Sequence, residues 1–380
     1  MKKISTPRGV IVSPYHTLSH AYWADGMMRL TDVCDWQLVS LPPRFFGWRI
    51  RGNPLALAFD PSLSQALENI DVLVATSMTD LACLKGLTKH LQSVPSVLYF
   101  HENQFAYPPN AAEHNNLEAK MVTLYGALAA DVVLFNSRFN RDTFFDGAQQ
   151  MLKAFPDYAP IHCLKSIERK TTVVPVPLPL NDLQAEFQQA KVPWSPDRPL
   201  KIVWNHRWEY DKGPERLARI IEISEASRLP FEFTIVGQRF RNIPASLEQL
   251  SRDMPSCIKH IGYVESKDTY LAMLASQDVV LSTALHDFQG LSIIEAMALG
   301  CLPCVPDRLV YPEYIPQGYR YTSQLKSIEQ EAESVIVKLS DYLARLRDGE
   351  KLAPPDYCQF DYSEALSRYE NLFFSLLAHS

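Results

Sequence analysis

The sequence predicts an α/β fold made of two doubly wound, Rossmann-like domains that face a cleft. Short β-rich runs alternate with helical stretches along the chain, which is the pattern of parallel sheets covered by helices. A proline-rich segment between residues 175 and 199 interrupts this alternation near the middle of the chain. With 380 residues, of which 47% are hydrophobic, the chain is long enough to form two sizeable cores.

The first half of the chain contains the candidate strands of one parallel sheet. These runs are Val10–Ser13, Trp36–Leu41, Asp71–Ser77, Ser96–His101, Asp131–Asn136 and Thr171–Val176. The apolar stretch from Met121 to Phe135 is divided by Asp131, so it predicts a helix end followed by a strand and not a membrane span. We place this domain at residues 1–180.

A second sheet is predicted after the proline-rich segment, and we place this domain at residues 198–360. Its candidate strands are Lys201–Asn205, Phe231–Val236, Ile258–Val264, Asp278–Thr283 and Leu302–Val305. The tail, residues 361–378, has amphipathic spacing and predicts a C-terminal helix.

The composition indicates an ordinary cytoplasmic protein. The formal net charge is −6, and neither a secretion signal nor a membrane-spanning stretch is evident, so no membrane partner is expected. The seven cysteines form no regular framework, which favours reduced thiols over secreted disulfides. Cys301 and Cys304 lack the second pair of a zinc site, so we expect a structural role for them and no bound metal.

One stretch of the second domain combines two acids with a glycine turn at the start of a helix. It contains, in chain order, Asp287, Gly290, Leu291, Ser292 and Glu295. Gly290 allows a close backbone approach, and the free N–H groups of the first helical turn favour a negatively charged ligand. The two carboxylates then suit sugar and ribose hydroxyls. Ser292-x-x-Glu295 is equally a capping box that needs no ligand.

A second segment supplies two cations directly after a predicted strand. Arg207 and Lys212 lie in one loop, and a helix is predicted to follow them. An arginine fork and a lysine charge could neutralise a diphosphate and stabilise it as a leaving group, which allows sugar transfer without a metal. The same cations could instead pair with Glu209 and Asp211 on a solvated turn.

Together these two segments resemble the donor site of retaining glycosyltransferases of the GT-B fold. The matching patterns are Arg207-x-x-x-x-Lys212-Gly213 and Asp287-x-x-Gly290-x-x-x-x-Glu295-Ala296. Longer blocks resemble the tRNA-queuosine mannosyltransferase family, namely Ser13–His20, Tyr99–Pro108, Trp204–Lys212 and Gly300–Pro303 through Tyr311–Glu313. The resemblance runs from about the first strand to the last helix and is weak between residues 149 and 170 and around Asp197.

This resemblance implies a retaining, metal-independent hexosyltransferase. The first domain would bind the acceptor, the second would bind the nucleotide sugar, and the C-terminal helix, residues 361–380, would cross back to the first domain. The donor would be GDP-mannose or a related nucleotide sugar, with no further cofactor, and the acceptor would be the cyclopentenediol of queuosine in tRNA. A lipid or polysaccharide acceptor and a non-catalytic tRNA-binding protein are the alternatives.

The same resemblance implies roles for the donor-site residues. Arg207 and Lys212 would hold the diphosphate, and the N–H groups of Gly290–Ser292 would support phosphate or sugar. Glu295 would bind the nucleotide ribose, and Asp287 would contact sugar hydroxyls. The broader family usually has glutamate where this chain has Asp287, so the shorter side chain could change the sugar preference.

The first domain has its own candidate residues near strand ends. His101 closes a predicted strand and is followed by Glu102 and Asn103, at the sheet edge where ligands of open α/β sheets bind. In related retaining enzymes a histidine at this place contacts the donor sugar, while Glu102 and Asn103 could hold the acceptor or anchor the loop. His16 could contact a sugar or nucleoside, or it could precede a helix with Ser19 as the N-cap.

A different signal follows the second predicted strand, where arginines and aromatic residues share a predicted loop. The residues concerned are Arg44, Phe45, Phe46, Trp48, Arg49 and Arg51. Rings and guanidinium planes stack on unpaired bases while cations hold phosphates, so the loop predicts a surface for an anticodon loop. A loop whose rings cap the core is the alternative, and the acidic net charge favours it. Arg138 and Arg141 could extend the basic surface, or Ser137 could simply cap their helix.

Overall fold

A computed structural model describes residues 6–29, 32–106, 117–190, 193–239 and 242–378 of the chain. The chain divides into two compact units, of which the first comprises Met1–Leu178 and Phe360–Ser380 and the second comprises Pro179–Gln359. Tyr107 and Pro108, at the end of one block of the family resemblance, lie outside the described residues. No helix within the described ranges is long and apolar enough to cross a membrane.

The first unit contains a parallel sheet. Its strands are β1 Arg8–Ser13, β2 Asp35–Ser40, β3 Val72–Thr76, β4 Ser96–Phe100, β5 Val132–Phe135 and β6 Thr171–Val173. In the described part of the chain their order is β2-β1-β3-β4-β5-β6. The residues of β3 and β4 are buried throughout, as expected for a parallel sheet covered on both faces. Every strand predicted for this half is confirmed within a few residues.

Helices cover this sheet. They are α1 Leu18–Met28, α2 Phe46–Phe59, α3 Pro61–Ala66, α4 Leu81–Leu87, α5 Leu117–Ala129, α6 Arg138–Ala154, α7 Leu164–Glu168 and the C-terminal helix α14 Tyr362–Ala378. The stretch from Met121 to Phe135 is the end of α5 followed by β5, as predicted. Tyr369 attaches α14 to the unit, because its hydroxyl accepts from Trp23 Nε1 at 3.0 Å and donates to the Pro175 oxygen at 3.1 Å.

The second unit contains another parallel sheet. Its strands are β7 Leu200–Trp204, β8 Phe231–Val236, β9 Ile258–Gly262, β10 Val279–Leu281, β11 Leu302–Pro306 and β12 Arg320–Tyr321. Its helices are α8 Leu180–Phe187, α9 Pro214–Ala226, α10 Ala245–Asp253, α11 Lys267–Ala275, α12 Leu291–Ala298 and α13 Ile328–Arg347. All strands predicted for this half are confirmed. The sequence pattern did not reveal β12, because two residues are too few to show a period.

Strand order determines where a ligand can bind in each sheet. In the second unit the described strands lie in the order β12-β11-β10-β7-β8-β9, so the winding direction changes between β7 and β10. Ligands of open α/β sheets bind beyond the carboxyl ends of the two strands at such a switch point. In the first unit the corresponding change lies between β1 and β3.

The segment predicted as a loop after the second strand is mostly helical, so the prediction of a loop is wrong. Helix α2 begins at Phe46, and its N-cap residue Phe45 has a left-handed φ of 57°. Pro54 lies inside this helix and cannot donate to the carbonyl oxygen of Ile50. The side-chain amide of Asn53 donates to that oxygen instead, at 3.2 Å. A proline in a helix interior ordinarily breaks the helix, so local sequence preference does not predict a helix here.

Two predictions about helix caps are wrong and one is confirmed. Helix α1 begins before Ser19, with Thr17 as its N-cap. Helix α12 has Gly290 as its N-cap, so Ser292 lies inside the helix and the predicted capping box does not form. Ser137 does cap α6, because its hydroxyl oxygen accepts from the N–H of Asn140 at 3.0 Å.

Candidate functional site

Two loops of the second unit lie side by side at its switch point. One follows β7 and carries Asp211 and Lys212, and the other follows β10 and begins near Thr283. The Asp211 oxygen accepts from the N–H groups of Leu285 and His286, at 2.8 and 3.1 Å. The Thr283 hydroxyl donates to the Lys212 oxygen at 2.7 Å, across a sequence separation of 71 residues. These bonds bring the two predicted donor-site segments together.

The two cations of the first loop have different environments. Lys212 is buried, and its ammonium group donates to the His286 oxygen at 2.6 Å and lies 3.3 Å from Asp211 Oδ2. The guanidinium of Arg207 is 2.9 Å from Glu209 Oε2, and 45% of the Arg207 side chain is exposed. Both alternative pairings, Arg207 with Glu209 and Lys212 with Asp211, therefore form. The pair of Lys212 and Asp211 is buried, however, so it does not lie on a solvated turn.

The carboxylate of Asp287 is held at both oxygens. Its Oδ1 accepts from the N–H of Gly290 at 3.0 Å, and its Oδ2 accepts from the Tyr311 hydroxyl at 3.0 Å. Burial by itself raises the pKa of this carboxyl, but the charge of Lys212 and the hydrogen bond from the Tyr311 hydroxyl are among the effects that outweigh burial and lower the pKa below its ordinary value. Asp287 is therefore ionised at neutral pH.

A line of hydrogen bonds leads from His206 to Asp287. His206 Nε2 lies 3.1 Å from Ser282 Oγ, which in turn lies 2.8 Å from the Tyr311 hydroxyl. Because the Tyr311 proton points to Asp287, Ser282 donates to Tyr311, and His206 Nε2 donates to Ser282. Burial, and then the charge of Lys212, lower the pKa of His206 to about 4, so its ring is neutral and carries its proton on Nε2. Every donor in the line thus points toward the carboxylate.

Two glycines with positive φ allow the loops of the site to approach closely. Gly213 has a φ of 66°, and a Cβ there would lie 2.2 Å from the backbone oxygen of Thr283. Gly290 has a φ of 75°, and a Cβ there would lie 2.9 Å from the hydroxyl oxygen of Tyr314. Any side chain at Gly213 would both strain the backbone and push the two loops apart.

The N-terminus of α12 lies directly beside Asp287. Gly290 is the N-cap of this helix, and its N–H is already bonded to Asp287. The N–H groups of Leu291 and Ser292, in the first turn, therefore remain for an anionic ligand. Gly290 therefore contributes its backbone conformation to this turn, whereas its N–H, which was predicted to support phosphate or sugar, is bonded to Asp287.

Glu295 lies one turn further along α12 and is buried. Burial, and then the nearby Glu295 carboxylate, raise the pKa of the Tyr270 hydroxyl. Asn205 connects this region to the end of β7, because its side-chain amide donates to the Tyr270 hydroxyl at 3.1 Å and to the Ser292 oxygen at 3.0 Å. These bonds tie the first turn of α12, the helix that carries Glu295, to the end of β7.

In the first unit, His101 directly follows β4 and is buried. Its ring stacks on His20 with centroids 4.1 Å apart and makes edge contacts with Trp23 and Tyr99. Neither ring nitrogen has a hydrogen-bond partner among the described residues. Burial, together with His20 and His16, keeps the pKa of His101 well below its usual value, so the ring is neutral. A buried imidazole with unused nitrogens is suited to bind a polar ligand.

Asn103, two residues after this histidine in the sequence, is fully buried and bonded within the unit. Its amide nitrogen lies 2.9 Å from Asn140 Oδ1 and 3.0 Å from Thr143 Oγ1, both in α6. Its amide oxygen accepts from the N–H groups of Phe105 and Ala106, at 3.0 and 3.1 Å. These bonds attach the loop after β4 to α6.

His16 and Glu102 are both partly buried. The N–H of His16 donates to the Leu41 oxygen at 3.0 Å, which holds the loop after β1 against the end of β2. Burial lowers the pKa of the His16 ring, against an opposing effect of Asp25. The backbone oxygen of Glu102 accepts from the Ser77 hydroxyl at 3.2 Å, beyond the end of β3. Both residues therefore lie at the carboxyl end of the sheet.

The predicted RNA-contacting residues lie just before α2 and in its first two turns, and they fall into two groups. Arg44 and Trp48 are exposed, and Arg49 is partly buried. The guanidinium of Arg51 lies 2.7 Å from Oδ2 of the buried Asp80, at the N-terminus of α4. Arg51 therefore fastens α2 to the rest of the unit.

Sequence reasoning assigned no donor-site role to His206, Ser282 or Tyr311. His206 and Tyr311 lie within blocks of the family resemblance, and Ser282 directly follows β10. Position just beyond the carboxyl end of a strand was the signal that could have marked His206 and Ser282. For Tyr311 no local signal exists, because its relation to Asp287 depends on the tertiary fold.

The cysteines and other metal-binding residue types form no metal centre in the described part of the chain, where no group of three or more His, Cys, Asp or Glu side chains is arranged to hold an ion. Cys301 and Cys304 are both buried and form no disulfide. Cys301 Sγ lies 3.3 Å from the Leu274 oxygen, and burial raises the pKa of Cys304. Both thiols lie in the interior of the second unit.

Comparison with known proteins gives matches over most of the chain. Residues 8–178 match the family of tRNA-queuosine alpha-mannosyltransferase N-terminal regions, and residues 186–351 match the glycosyl transferases group 1 family. A protein of Drosophila melanogaster named tRNA-queuosine alpha-mannosyltransferase is 32% identical over 320 residues, which are 83% of this chain and 84% of that protein.

Solved structures share the fold at low sequence identity. Anabaena HepE, in complex with UDP and glucose, matches with a TM-score of 0.62 and 14% identity over 97% of this chain and 100% of that chain. A UDP-forming α,α-trehalose-phosphate synthase from Burkholderia xenovorans matches with a TM-score of 0.64 and 14% identity, over 98% of this chain and 99% of that chain. Similarity at this level of identity supports the fold alone.

The chain is a glycosyltransferase of the GT-B fold. This follows from its two doubly wound sheets, from the loops of Lys212 and Asp287 that meet at one switch point, and from the family matches. The predicted fold class is thereby confirmed. Within this class, the chain belongs to the tRNA-queuosine alpha-mannosyltransferase family.

Proposed function

We propose that the protein transfers mannose from GDP-mannose to the queuosine nucleoside of tRNA, with retention of the anomeric configuration and without a metal. The observation that carries this proposal is that the loop with Arg207 and Lys212 lies against the loop with Asp287 at the switch point of the second unit, in a chain of this family. Nucleotides bind at such switch points in doubly wound sheets. The acceptor follows from the activity in the name of the Drosophila melanogaster relative.

The donor diphosphate is assigned to the loop after β7 and the start of α12. Arg207 is the partly exposed cation, and its guanidinium exchanges Glu209 for phosphate oxygens. Lys212 is buried next to Asp211 and adds positive potential to the site. The first-turn N–H groups of Leu291 and Ser292 complete the phosphate contacts, since the helix dipole favours an anion there.

Two carboxylates are assigned to hydroxyl groups of the donor. Glu295 binds the nucleotide ribose from its buried position on α12. Asp287 is ionised and retains acceptor capacity at both oxygens, so it accepts from hydroxyls of the transferred sugar. Because Gly290 and Tyr311 fix this short carboxylate in place, the sugar has to be presented to it in one orientation.

The reaction needs only groups of the donor, the acceptor and the protein. The bond between C1 of the sugar and the β-phosphate oxygen breaks, and C1 forms a bond to an acceptor hydroxyl oxygen on the same face. The hydroxyl proton passes to the leaving phosphate oxygen. Arg207 and Lys212 stabilise the charge that develops on GDP, which is the work that a metal would otherwise do. His101 contacts a sugar hydroxyl through one of its unused ring nitrogens.

The first unit is assigned to the acceptor. His16 and Glu102 would contact the modified nucleoside, while Arg44, Trp48 and Arg49 would contact the surrounding RNA. Asn103 and Arg51 act as positioning residues within this proposal. The bonds of Asn103 fix the loop that carries Glu102, and the pair of Arg51 with Asp80 fixes α2.

The experiment is transfer in the presence of a chelator. Purified protein is incubated with GDP-mannose and queuosine-containing tRNA, and the digested nucleosides are examined by mass spectrometry and NMR. We expect queuosine to gain one hexose with a retained anomeric configuration. Arg207→Ala should lower the rate by about a hundredfold, since it removes a cation that stabilises the leaving group.

A matched control is Arg219→Ala. Arg219 lies on α9 of the same unit, its side chain is 38% exposed, and it pairs with Glu222 and Glu329. This variant should transfer mannose at the wild-type rate. Bound GDP-mannose without a hexose on tRNA would refute the acceptor, dependence on a divalent ion would refute the metal-independent reaction, and an inverted linkage would refute retention.

A further inference from the structure

One side of α2 presents large apolar residues to solvent. Phe45, Trp48, Leu55 and Phe59 are exposed by 71%, 60%, 48% and 66%. Their spacing places them on one face of the helix, which we call the α2 apolar face. The face is about 20 Å long at 1.5 Å per residue. Large exposed apolar patches of this kind commonly mark binding surfaces.

The opposite side of α2 holds the face rigidly. The side-chain amide of Asn53 is buried and donates to the Met78 oxygen at 3.1 Å. On the exposed side of the helix, the half-exposed guanidinium of Arg51 pairs with the buried Asp80. A Cβ at Gly52 would lie 2.5 Å from the Trp48 indole, so the indole lies flat over this glycine. A surface fixed before binding loses less side-chain entropy when a partner docks.

The charge around the face favours a polyanion. Between Asp35 and Asp60 the chain has no acidic residue, although its overall net charge is −6. The guanidinium of Arg44 lies 5.7 Å from the ring centre of Phe45. Arg49 Nε is buried and has no hydrogen-bond partner among the described residues. Flat rings flanked by arginines are the combination that binds single-stranded nucleic acid.

We propose that the α2 apolar face is a stacking platform for unpaired bases of the tRNA that flank the modified nucleoside. The proposal rests on the proposed function and extends it, because it assigns Phe45 and Phe59 to RNA binding and separates ring contacts from phosphate contacts. Phe45, Trp48 and Phe59 stack on bases, and Leu55 fills the space between the rings. Arg44 and Arg49 contact the phosphates.

The test is the affinity for a fluorescently labelled, unmodified anticodon stem-loop, measured by anisotropy at several salt concentrations. Phe45→Ala and Phe59→Ala should each weaken binding by about tenfold, within the range that one base stack contributes. Because these changes remove no charge, the slope of log K against log salt should stay unchanged. Arg44→Gln should reduce that slope by about 0.7, the value for one phosphate contact to a single strand.

Two further variants make this test specific. Phe45→Tyr keeps the ring and should bind the RNA as the wild type does. Phe374→Ala removes a ring of similar exposure, 56%, from α14 of the same unit and should also bind normally. Thermal unfolding midpoints of all variants are compared, so that a loss of affinity is not confused with a loss of fold.

The proposal is overturned if Phe45→Ala and Phe59→Ala bind the stem-loop as tightly as the wild type, or if Phe374→Ala weakens binding equally. It is also overturned if the wild type is a dimer that these two variants dissociate while RNA affinity is unchanged, since the face would then join two copies. Binding uses unmodified RNA and no donor. If the variants bind RNA as expected but the wild type transfers no hexose to queuosine, only the proposed function is refuted.

Discussion

The Tyr311 hydroxyl donates a 3.0 Å hydrogen bond to Asp287 Oδ2 across 24 residues of sequence. This bond is the last in a line that begins at His206 and passes through Ser282. A hydroxyl that donates to a carboxylate stabilises the ionised form, so Tyr311 helps to keep a largely desolvated Asp287 charged. The position of Asp287 in the site is therefore set by a residue outside its own loop.

Tyr311→Phe tests this relationship. Removing the hydroxyl takes away one of the groups that lower the pKa of Asp287, so that pKa should rise and the acidic limb of the kcat/KM profile should move to higher pH. Loss of a hydrogen bond to a charged group costs about 1.5–3 kcal/mol, so we also expect KM for the donor to rise by about tenfold or more. The measurement is kcat/KM for the nucleotide sugar as a function of pH.

Tyr314→Phe is the matched control for Tyr311→Phe. Tyr314 is also buried, but its hydroxyl donates to the Gln289 oxygen at 2.9 Å and not to the carboxylate of Asp287. The acidic limb of the kcat/KM profile of Tyr314→Phe should therefore coincide with that of the wild type. Identical profiles for both variants would show that Tyr311 does not govern the ionisation of Asp287.

Gly213→Ala should disrupt the donor site, and Gly349→Ala should not. Both glycines have positive φ, 66° and 84°, so alanine strains each backbone by about 1–2 kcal/mol. At Gly349 nothing lies within 4 Å of the added Cβ, whereas at Gly213 the Thr283 oxygen lies only 2.2 Å away. We expect Gly213→Ala to lose at least about 3 kcal/mol of unfolding free energy and most of its GDP affinity.

The two measurements are denaturant unfolding and calorimetric titration with GDP. Gly349→Ala, with an open environment, isolates the cost of the backbone strain. Equal losses of stability in the two variants would mean that the close approach of the two loops contributes nothing.

Position along the chain allowed much of the fold and part of the site to be predicted. Parallel strands buried on both faces are continuous apolar runs, so β3 and β4 stand out from the sequence. His101 and Lys212 follow such runs, which marked them as candidates. The bond between Tyr311 and Asp287 could not be predicted, because it depends on how two distant loops pack.

The helical start of α2 could not be predicted for a different reason. Its N-cap Phe45 adopts a left-handed conformation that aromatic residues rarely take, and Pro54 removes a backbone donor from the helix interior. Tertiary bonds of Asn53 to Ile50 and Met78 compensate. Local sequence propensity therefore predicts the wrong structure for this segment, because hydrogen bonds of a buried side chain replace the missing backbone bond.

Glu331→Gln should destabilise the second unit strongly. Glu331 is buried and accepts from both Arg216 and Arg308, each at 2.8 Å. Removing the charge leaves two largely buried guanidinium groups without a counter-ion, which costs about 3–5 kcal/mol. Arg308 also donates to the Ala284 oxygen at 2.8 Å, so the loop after β10 should loosen as well.

Denaturant unfolding measures this loss, and Glu329→Gln is the control. Glu329 lies on the same helix and pairs with Arg219, but the pair is largely exposed, so its loss should lower the free energy of unfolding much less. A stability loss for Glu331→Gln as small as that for Glu329→Gln would contradict a structural role for the buried pair.

The buried histidines should lower the free energy of unfolding at acidic pH, and this loss should begin at a higher pH than that at which carboxylates titrate. Burial, and then His16, lower the pKa of His20 to about 3, so the folded state keeps this ring neutral. The unfolded chain takes up a proton near the ordinary value of about 6.5. Stability from His20 is therefore complete above about pH 6.5 and is lost as the pH falls toward 3, by on the order of 2 kcal/mol at pH 5.

His20→Phe removes this titration while keeping a ring next to His101. The free energy of unfolding is measured in denaturant at pH 7.5 and pH 5, and the difference between the two values is compared. This difference should shrink by on the order of 2 kcal/mol in the variant. His162 is exposed, so His162→Gln should keep the wild-type difference. If His20→Phe also keeps the wild-type difference between the two pH values, protonation of His20 does not limit stability. The stack on His101 then tolerates a charged ring.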